Sequence, residues 1–293
     1  MRDLIKMNFY RLSRSISAYI VIFIVILECV MGGVVAYQDN SRLIRNVDSS
    51  AGSSVSTDAL ETTATSTNGI KVEFEISESS TNGFKVENGR IPIYEFLNPI
   101  LSNYIMLCFP FVGIALFITA QYKSGFIKNF AGNYPDRAKI IGADIIVSCA
   151  YSLILLAAAV GATFFVGLTL NRDITTLGQL SDNLDVILPK IIPYLGFSML
   201  AVFICEAFRS ATFAIIGGFA LILFSQGIVW VIDHALHKIG VPKSFSVGDY
   251  FMVSMISKTD LSDDFVRTAI VGAVYFAVFA VATILMFKKR DIA

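Results

Sequence analysis

Six long apolar stretches constrain the fold of this chain more than any other feature of its sequence. They occupy residues 17–37, 100–120, 141–168, 191–208, 211–232 and 269–287. An α-helix needs about 20 mostly apolar residues to cross the hydrocarbon core of a bilayer, and the stretches are 18 to 28 residues long. Charged residues make up only 16% of the chain, against roughly 25% in soluble domains. We therefore predict an all-α membrane protein with six transmembrane helices.

The short loops between these stretches predict the orientation of the helices in the membrane. Positive charge resists translocation, so short basic loops stay on the cytoplasmic side. Residues 121–139 carry four basic residues and one acid. The basic residues are Lys123, Lys128, Arg137 and Lys139, and the acid is Asp136. The run KKR at 288–290 follows the last stretch. We therefore expect a multi-pass protein of the plasma membrane with both termini in the cytoplasm.

Residues 38–97 are predicted to form a long extracellular loop between the first and second spans. The loop contains a Ser/Thr-rich tract that has too few large apolar residues to pack a core. Between residues 71 and 86, apolar and polar residues alternate on either side of Asn82-Gly83. This pattern predicts a small β-hairpin.

Two further segments outside the spans have helical patterns. Residues 1–16 are basic and amphipathic, which predicts a cytoplasmic interfacial helix before the first span. Residues 233–268 form the second long extracellular loop. Its apolar part, residues 245–256, is too short to cross a bilayer, so we expect an interfacial or re-entrant helix there.

The basic loop at 121–139 also has the pattern of a short amphipathic helix. Phe126, Ile127 and Phe130 fall on one side of a helix among lysine and asparagine residues. Such a helix is either a docking element for a soluble partner or an interfacial helix that lies on lipid head groups. The pattern alone leaves both interpretations open.

The sequence contains none of the common catalytic motifs. It lacks a GxxxxGK[ST] phosphate loop, a GxSxG elbow and an HExxH helix. His234 and His237 have no evident third ligand, so no metal site is predicted. The four cysteines lie inside apolar stretches without paired spacing, which argues against a disulfide. A formal net charge of zero gives no bulk affinity for nucleic acid. We predict a non-catalytic chain without a cofactor of its own.

Three acidic residues fall within the apolar stretches. Glu28 lies near the middle of the first span, where an unpaired charge costs about 3 kcal/mol. It is either a substrate-cavity or gating residue, or a structural group hydrogen-bonded to a Ser or Gln on a neighbouring helix, such as Ser225 or Gln226. Asp144 and Glu206 lie near the inner ends of their spans. We expect them to pair locally with nearby basic residues, namely Lys139 and Arg209.

The chain resembles the membrane (permease) subunit of type-two ABC exporters, including the bacterial antimicrobial-peptide resistance and immunity transporters. Three features carry the resemblance: the basic amphipathic entry LIKMNFYRLSRSISAYI at 4–20, the cytoplasmic segment YKSGFIKNFAGNYPDRAKII at 122–141, and the six-span layout with an apolar outer segment before the last span. The long first extracellular loop departs from the short loop of many relatives.

The resemblance implies that the chain works in a complex with other proteins. It implies a separate ABC ATPase that binds ATP and Mg²⁺, with two ATPase subunits and two permeases, identical or homologous, per complex in the bacterial plasma membrane. It also implies that the ATPase docks on the basic loop and on the N-terminal helix. The expected docking residues are Tyr122, Lys123, Phe126, Ile127, Lys128, Asn129 and Phe130.

The leading hypothesis is therefore an ATP-driven exporter subunit for an amphipathic or hydrophobic substrate, such as an antimicrobial peptide or a lipid. A membrane receptor or assembly protein that senses a ligand through residues 38–97 is the first alternative. An ion-coupled carrier that depends on Glu28 is the second.

Overall fold

The structure is a computed structural model that describes residues 2–51, 91–125, 137–169, 175–240, 242, 245–258 and 265–289. Two predicted features lie outside these ranges. One is the hairpin between residues 71 and 86. The other comprises five of the expected docking residues, namely Phe126, Ile127, Lys128, Asn129 and Phe130.

The described residues are mostly helical, in agreement with the predicted fold class. The helices are Arg2–Arg14 (α1), Ile16–Ala51 (α2), Ile93–Ser102 (α3), Tyr104–Lys123 (α4), Arg137–Thr169 (α5), Leu180–Phe208 (α6), Ala211–Leu223 (α7), Ser225–Lys238 (α8), Met252–Ile256 (α9) and Phe265–Lys289 (α10). A 3-10 turn, Val247–Asp249, precedes α9. Two short strands, Ile91–Pro92 (β1) and Thr175–Thr176 (β2), pair in parallel.

Length and apolar composition identify the helices that can cross a membrane. Within the described residues these are the segments Ile16–Val35, Tyr104–Lys123, Ala138–Thr169, Ser181–Phe208 and Phe265–Lys289. Helices α7 and α8 pass the same test only as a pair, and they are bent by 57° at the break between them. The described residues therefore contain five helices that are long and apolar enough to cross a membrane, or six spans if the bent pair is one, as in a membrane-embedded protein.

The second span begins later than the predicted residue 100. Asn103 has extended backbone geometry, and its side-chain oxygen accepts a hydrogen bond of 3.0 Å from the Ile105 N–H. Asparagine at this position caps the first turn of a helix. The cap separates α3 from α4, so the apolar stretch predicted as one element is divided between two helices.

The fourth span is longer than the predicted 191–208, because α6 already begins at Leu180. Asn183 supports this early start, since its Nδ2 donates to the backbone oxygens of Leu177 at 2.9 Å and Gln179 at 3.0 Å. The polar residues between 180 and 190 indicated a loop in the sequence. In the structure they form the first turns of a helix whose buried positions include Asn183 and Lys190.

Helix α6 lies at the centre of the bundle and packs against α3, α4, α5, α7, α9 and α10. Its closest neighbour is α10, and small residues permit the approach. A Cβ atom added to Gly272 would lie 2.9 Å from the Pro193 backbone nitrogen, and one added to Gly196 would lie 2.8 Å from the Gly272 oxygen. A Cβ on Gly218 of α7 would overlap the ring of Phe111 on α4. Close packing of α7 against α4 therefore depends on Gly218.

The short helix α9 packs into the bundle, within the segment predicted to be interfacial or re-entrant. All five of its residues, Met252–Ile256, are buried, and it contacts α6, α8 and α10. The preceding 3-10 turn is held by Asp233 of α8, which accepts hydrogen bonds from Ser246 Oγ at 3.0 Å and the Val247 N–H at 2.6 Å.

The N-terminal helix α1 also packs against the bundle rather than resting only on the membrane surface. It contacts α5 and buries Leu4, Asn8 and Leu12. Lys6, Tyr10 and Arg14 are exposed. We refer to the end of the bundle where α1 lies as the α1 end.

Candidate functional site

Buried and partly buried polar side chains from four helices meet at the α1 end, where α4 ends and the basic segment 121–139 begins. The residues come from α1, the last turn of α4, the first turns of α5, and the last turn of α6 with the residue that follows it. We call this group the α1-end cluster, and it consists of Asn8, Arg11, Gln121, Tyr122, Asp144, Glu206 and Arg209.

Asp144 is the centre of one half of the cluster. It is completely buried, and its Oδ1 accepts a hydrogen bond of 2.7 Å from Asn8 Nδ2 and one of 2.8 Å from Gln121 Nε2. Hydrogen bonds to a charged group contribute roughly 1.5–3 kcal/mol each. One carboxylate therefore joins α1, α4 and α5. Its hydrogen-bond partners differ from the local partner expected from the sequence, Lys139.

Arg11 supplies positive charge to this half of the cluster. Partial burial lowers the pKa of its guanidinium, and the Asp144 carboxylate acts in the opposite direction and raises that pKa. Arginine nevertheless stays protonated because its intrinsic pKa is so high. Arg11 therefore adds an attraction between α1 and α5 to the hydrogen bond made by Asn8.

Tyr122 is the centre of the other half of the cluster. Its hydroxyl donates to Glu206 Oε2 on α6, and the guanidinium of Arg209 lies over its ring, 5.3 Å from the centroid. A cation over an aromatic face is attracted to it. Among the described residues no ion pair joins Glu206 to Arg209, and both side chains contact Tyr122.

Arg209 also marks the end of α6. Its backbone has φ 53°, in the left-handed region, and its N–H donates to the Cys205 oxygen at 2.9 Å. Such a conformation is uncommon for a residue other than glycine. It turns the chain sharply from α6 toward α7 and brings the Arg209 side chain to Tyr122.

The last turn of α4 is thus held on two sides by adjacent residues. Gln121 donates a hydrogen bond to Asp144 of α5, which also accepts one from α1. Tyr122 donates a hydrogen bond to Glu206 of α6. Of the expected docking residues, Tyr122 is partly buried in this arrangement and Lys123 is exposed.

Glu28 faces a different part of the molecule. It is partly buried and interacts electrostatically with Cys108 and Tyr194 in the middle of the bundle. Cys108 precedes Gln121 by thirteen residues on α4, which is about 20 Å along a helix.

The structural partners proposed for Glu28 are engaged elsewhere. Ser225 Oγ donates to the Ile222 oxygen at 2.7 Å, and Gln226 Nε2 donates to the Tyr104 hydroxyl. The structure shows no hydrogen bond from either side chain to Glu28. The alternative interpretation, as a cavity or gating residue, stays a prediction.

Sequence reasoning missed a second buried polar group, at the end of the bundle opposite α1. Lys190 of α6 is 2% exposed, and its Nζ donates to Asn98 Oδ1 at 2.7 Å, to the Asn98 backbone oxygen at 3.3 Å and to Ser102 Oγ. It joins α6 to α3. The available signal was its spacing, because Lys190, Tyr194 and Ser198 repeat every four residues on one face of α6.

The histidines and cysteines form no metal site in the described part of the chain. No group of three or more His, Cys, Asp or Glu side chains there could hold a metal ion. His234 stacks on Trp230 with ring centroids 5.5 Å apart.

The sequence matches a protein family over residues 66–293, and that family is described as a protein of unknown function (DUF2705). The chain belongs to this family. No curated protein and no solved structure matches the chain. The part shared with the DUF2705 family includes Gln121, Tyr122, Asp144, Glu206 and Arg209. Asn8, Arg11 and Glu28 precede the matched residues.

Proposed function

We propose that this chain is the permease subunit of an ATP-driven ABC exporter in the bacterial plasma membrane, with both termini in the cytoplasm. Its substrate is amphipathic or hydrophobic, such as an antimicrobial peptide or a lipid. The energy comes from two copies of a separate ATPase that binds ATP and Mg²⁺, and a second permease completes the complex.

The observation that carries this proposal is the double attachment of the end of α4. Gln121 and Tyr122 connect the start of the basic segment to α1, α5 and α6 through buried carboxylates. A force applied to this segment by a docked ATPase is passed to three other helices, because breaking a buried charged hydrogen bond is costly. A simple connector between two spans needs no such arrangement.

Cross-linking at Lys123 tests whether an ATPase docks at this position. Lys123 is exposed next to Tyr122, so we expect Lys123→Cys to cross-link to a chain that carries a Walker phosphate loop in native membranes. The purified complex is expected to hydrolyse ATP. Ile239→Cys, at an 80% exposed position at the opposite end of the bundle, is the control and is expected not to cross-link to that chain.

Removal of the Tyr122 hydroxyl tests whether the basic segment passes the force of a docked ATPase to α6. Tyr122→Phe deletes the hydrogen bond to Glu206 and keeps the ring under Arg209. We expect the complex to assemble as before. Substrate-stimulated ATP hydrolysis is expected to fall about tenfold, which corresponds to about 1.4 kcal/mol. Tyr104→Phe removes a hydroxyl at the other end of α4 and is expected to retain stimulation.

Two results would contradict the proposal. One is a purified, folded chain that never associates with an ATPase. The other is transport that a proton uncoupler abolishes and that ATP depletion does not affect, which would favour an ion-coupled carrier.

A further inference from the structure

Glu28 has a buried carboxyl oxygen without a hydrogen-bond partner among the described residues. This atom is Oε2, whereas the side chain as a whole is only partly buried. Glu28 therefore lies at the edge of the bundle, with one oxygen against protein atoms. Along α2 it is about 18 Å from Ile16 and about 10 Å from Val35, the two ends of an apolar span. A charge at such a depth costs free energy unless it is paired.

The described neighbours of Glu28 supply no positive charge. Its electrostatic interactions are with Cys29 on its own helix, Cys108 of α4 and Tyr194 of α6. None of these groups is a cation. In the part of the chain that the structure describes, no lysine or arginine is a partner of Glu28. A counter-charge for this carboxylate would therefore have to come from a ligand.

Prolines break the hydrogen-bond pattern of both neighbouring helices close to Glu28. Pro110 of α4 has no N–H, so the Met106 carbonyl lacks its helical donor. The Tyr194 hydroxyl donates to that carbonyl oxygen at 2.9 Å and takes the place of the missing N–H, so this donor is already engaged. Tyr194 itself follows Pro193, which lies inside α6. Proline-interrupted spans are a typical sign of a binding site in membrane transporters.

The surface of α2 around Glu28 is apolar and exposed. Ile24, Leu27 and Met31 all lie within four residues of Glu28, and each is exposed. On α4, Ile105 is exposed as well. In a membrane such a surface faces acyl chains rather than water. A ligand that pairs with Glu28 therefore reaches it through the lipid and has to be soluble there.

We propose that Glu28 binds the positively charged group of a lipid-soluble cation, on the seam between α2 and α4 and beside Tyr194. The carboxylate supplies the counter-charge, and the apolar side chains around it contact the rest of the ligand. The inference rests on the proposed function and narrows its substrate class. An amphipathic substrate with a positive charge gains from Glu28, whereas a neutral lipid does not.

Binding of tritiated tetraphenylphosphonium to the purified full-length chain tests the site. The chain is placed in phosphatidylcholine nanodiscs without any ATPase, and partitioning into empty nanodiscs is subtracted. We expect saturable binding of one ion per chain. Glu28→Gln keeps the size of the side chain and removes its charge, so the affinity is expected to fall at least about tenfold. Asp185→Asn removes a negative charge at an exposed position of α6; it is the matched control and is expected to bind as the wild type does.

Two further measurements separate charge recognition from apolar partitioning and from misfolding. Tetraphenylborate has the same shape and the opposite charge, so we expect no difference in its binding between the wild type and Glu28→Gln. If Glu28→Gln fails to fold, modification of the wild type by dicyclohexylcarbodiimide decides, because this lipid-soluble reagent attacks carboxyl groups. Tetraphenylphosphonium is expected to slow the modification of Glu28, measured by mass spectrometry, and tetraphenylborate is not.

Absence of saturable tetraphenylphosphonium binding to the wild type overturns the proposal, and would indicate a carboxyl group neutralised by a proton alone. Equal affinity in the wild type and a folded Glu28→Gln also overturns it, as does modification of Glu28 that tetraphenylphosphonium does not slow. These results differ from those that would contradict the exporter, because no ATPase takes part in the measurement. A chain that binds the cation at Glu28 and never associates with an ATPase would refute the exporter and support this site.

Discussion

Lys190 is a charged residue whose role depends on complete burial. Its ammonium donates to two oxygens of Asn98 and to Ser102 Oγ, and its exposure is 2%. Methionine has a similar length but no donor, so Lys190→Met removes the hydrogen bonds of the ammonium to Asn98 and Ser102. We expect a loss of about 1–3 kcal/mol in unfolding free energy, seen as a lower unfolding temperature of the purified protein. Lys238→Met, at an exposed position at the end of α8, is expected to change stability by less than about 0.5 kcal/mol. Equal unfolding temperatures for the two variants would contradict the structural role of Lys190.

The sequence locates most buried charges but not their partners. Asp144 and Glu206 are recognisable as acids near the ends of apolar stretches. Their hydrogen-bond partners, Asn8 and Tyr122, are 136 and 84 residues away in the chain. Only the tertiary packing of helices brings these pairs together, and no local pattern encodes it. Lys190 was missed for a related reason, since a lysine next to a proline is typical of a loop when its helix neighbours are unknown.

The contact between α6 and α10 depends on the absence of a side chain at Gly272. A Cβ there would lie 2.9 Å from the Pro193 nitrogen and 3.0 Å from the Ile192 carbonyl carbon. Backbone atoms in a helix cannot move aside individually, so Gly272→Leu must separate the two helices. Overpacking of this kind costs about 1–3 kcal/mol or more, and we expect a lower unfolding temperature and faster proteolysis in detergent. Gly161→Leu on α5 adds the same side chain where nothing lies within 4 Å and serves as the control. A Gly272→Leu protein as stable as Gly161→Leu would show that the helices do not pack as described.

At the scale of helices, apolar length predicts where spans exist, and tertiary contacts decide where they begin, end and bend. The cap at Asn103 places the start of α4 inside an apolar stretch. The hydrogen bonds of Asn183 support a start of α6 before its apolar stretch. The 57° bend between α7 and α8 falls at Phe224. No proline lies at this break, so the sequence contains no strong signal for it.

At the scale of the whole molecule, basic residues are exposed at the α1 end, and their position predicts how the molecule lies in a membrane. The α1 end carries exposed basic residues at Lys123, Lys139 and Lys289, whereas Ile239 is exposed at the opposite end. By the preference of short basic loops for the cytoplasm, we expect Ile239→Cys to react with a membrane-impermeant maleimide in intact cells. Lys123→Cys and Lys289→Cys are expected to react only after permeabilisation. The four native cysteines, none of them exposed, are replaced first so that labelling reports the introduced thiols. Labelling of Lys123→Cys in intact cells would place the α1-end cluster outside the cell, beyond the reach of any cytoplasmic ATPase. Labelling of Lys123→Cys and Lys289→Cys on opposite sides would instead contradict the common end at which the structure places α4 and α10.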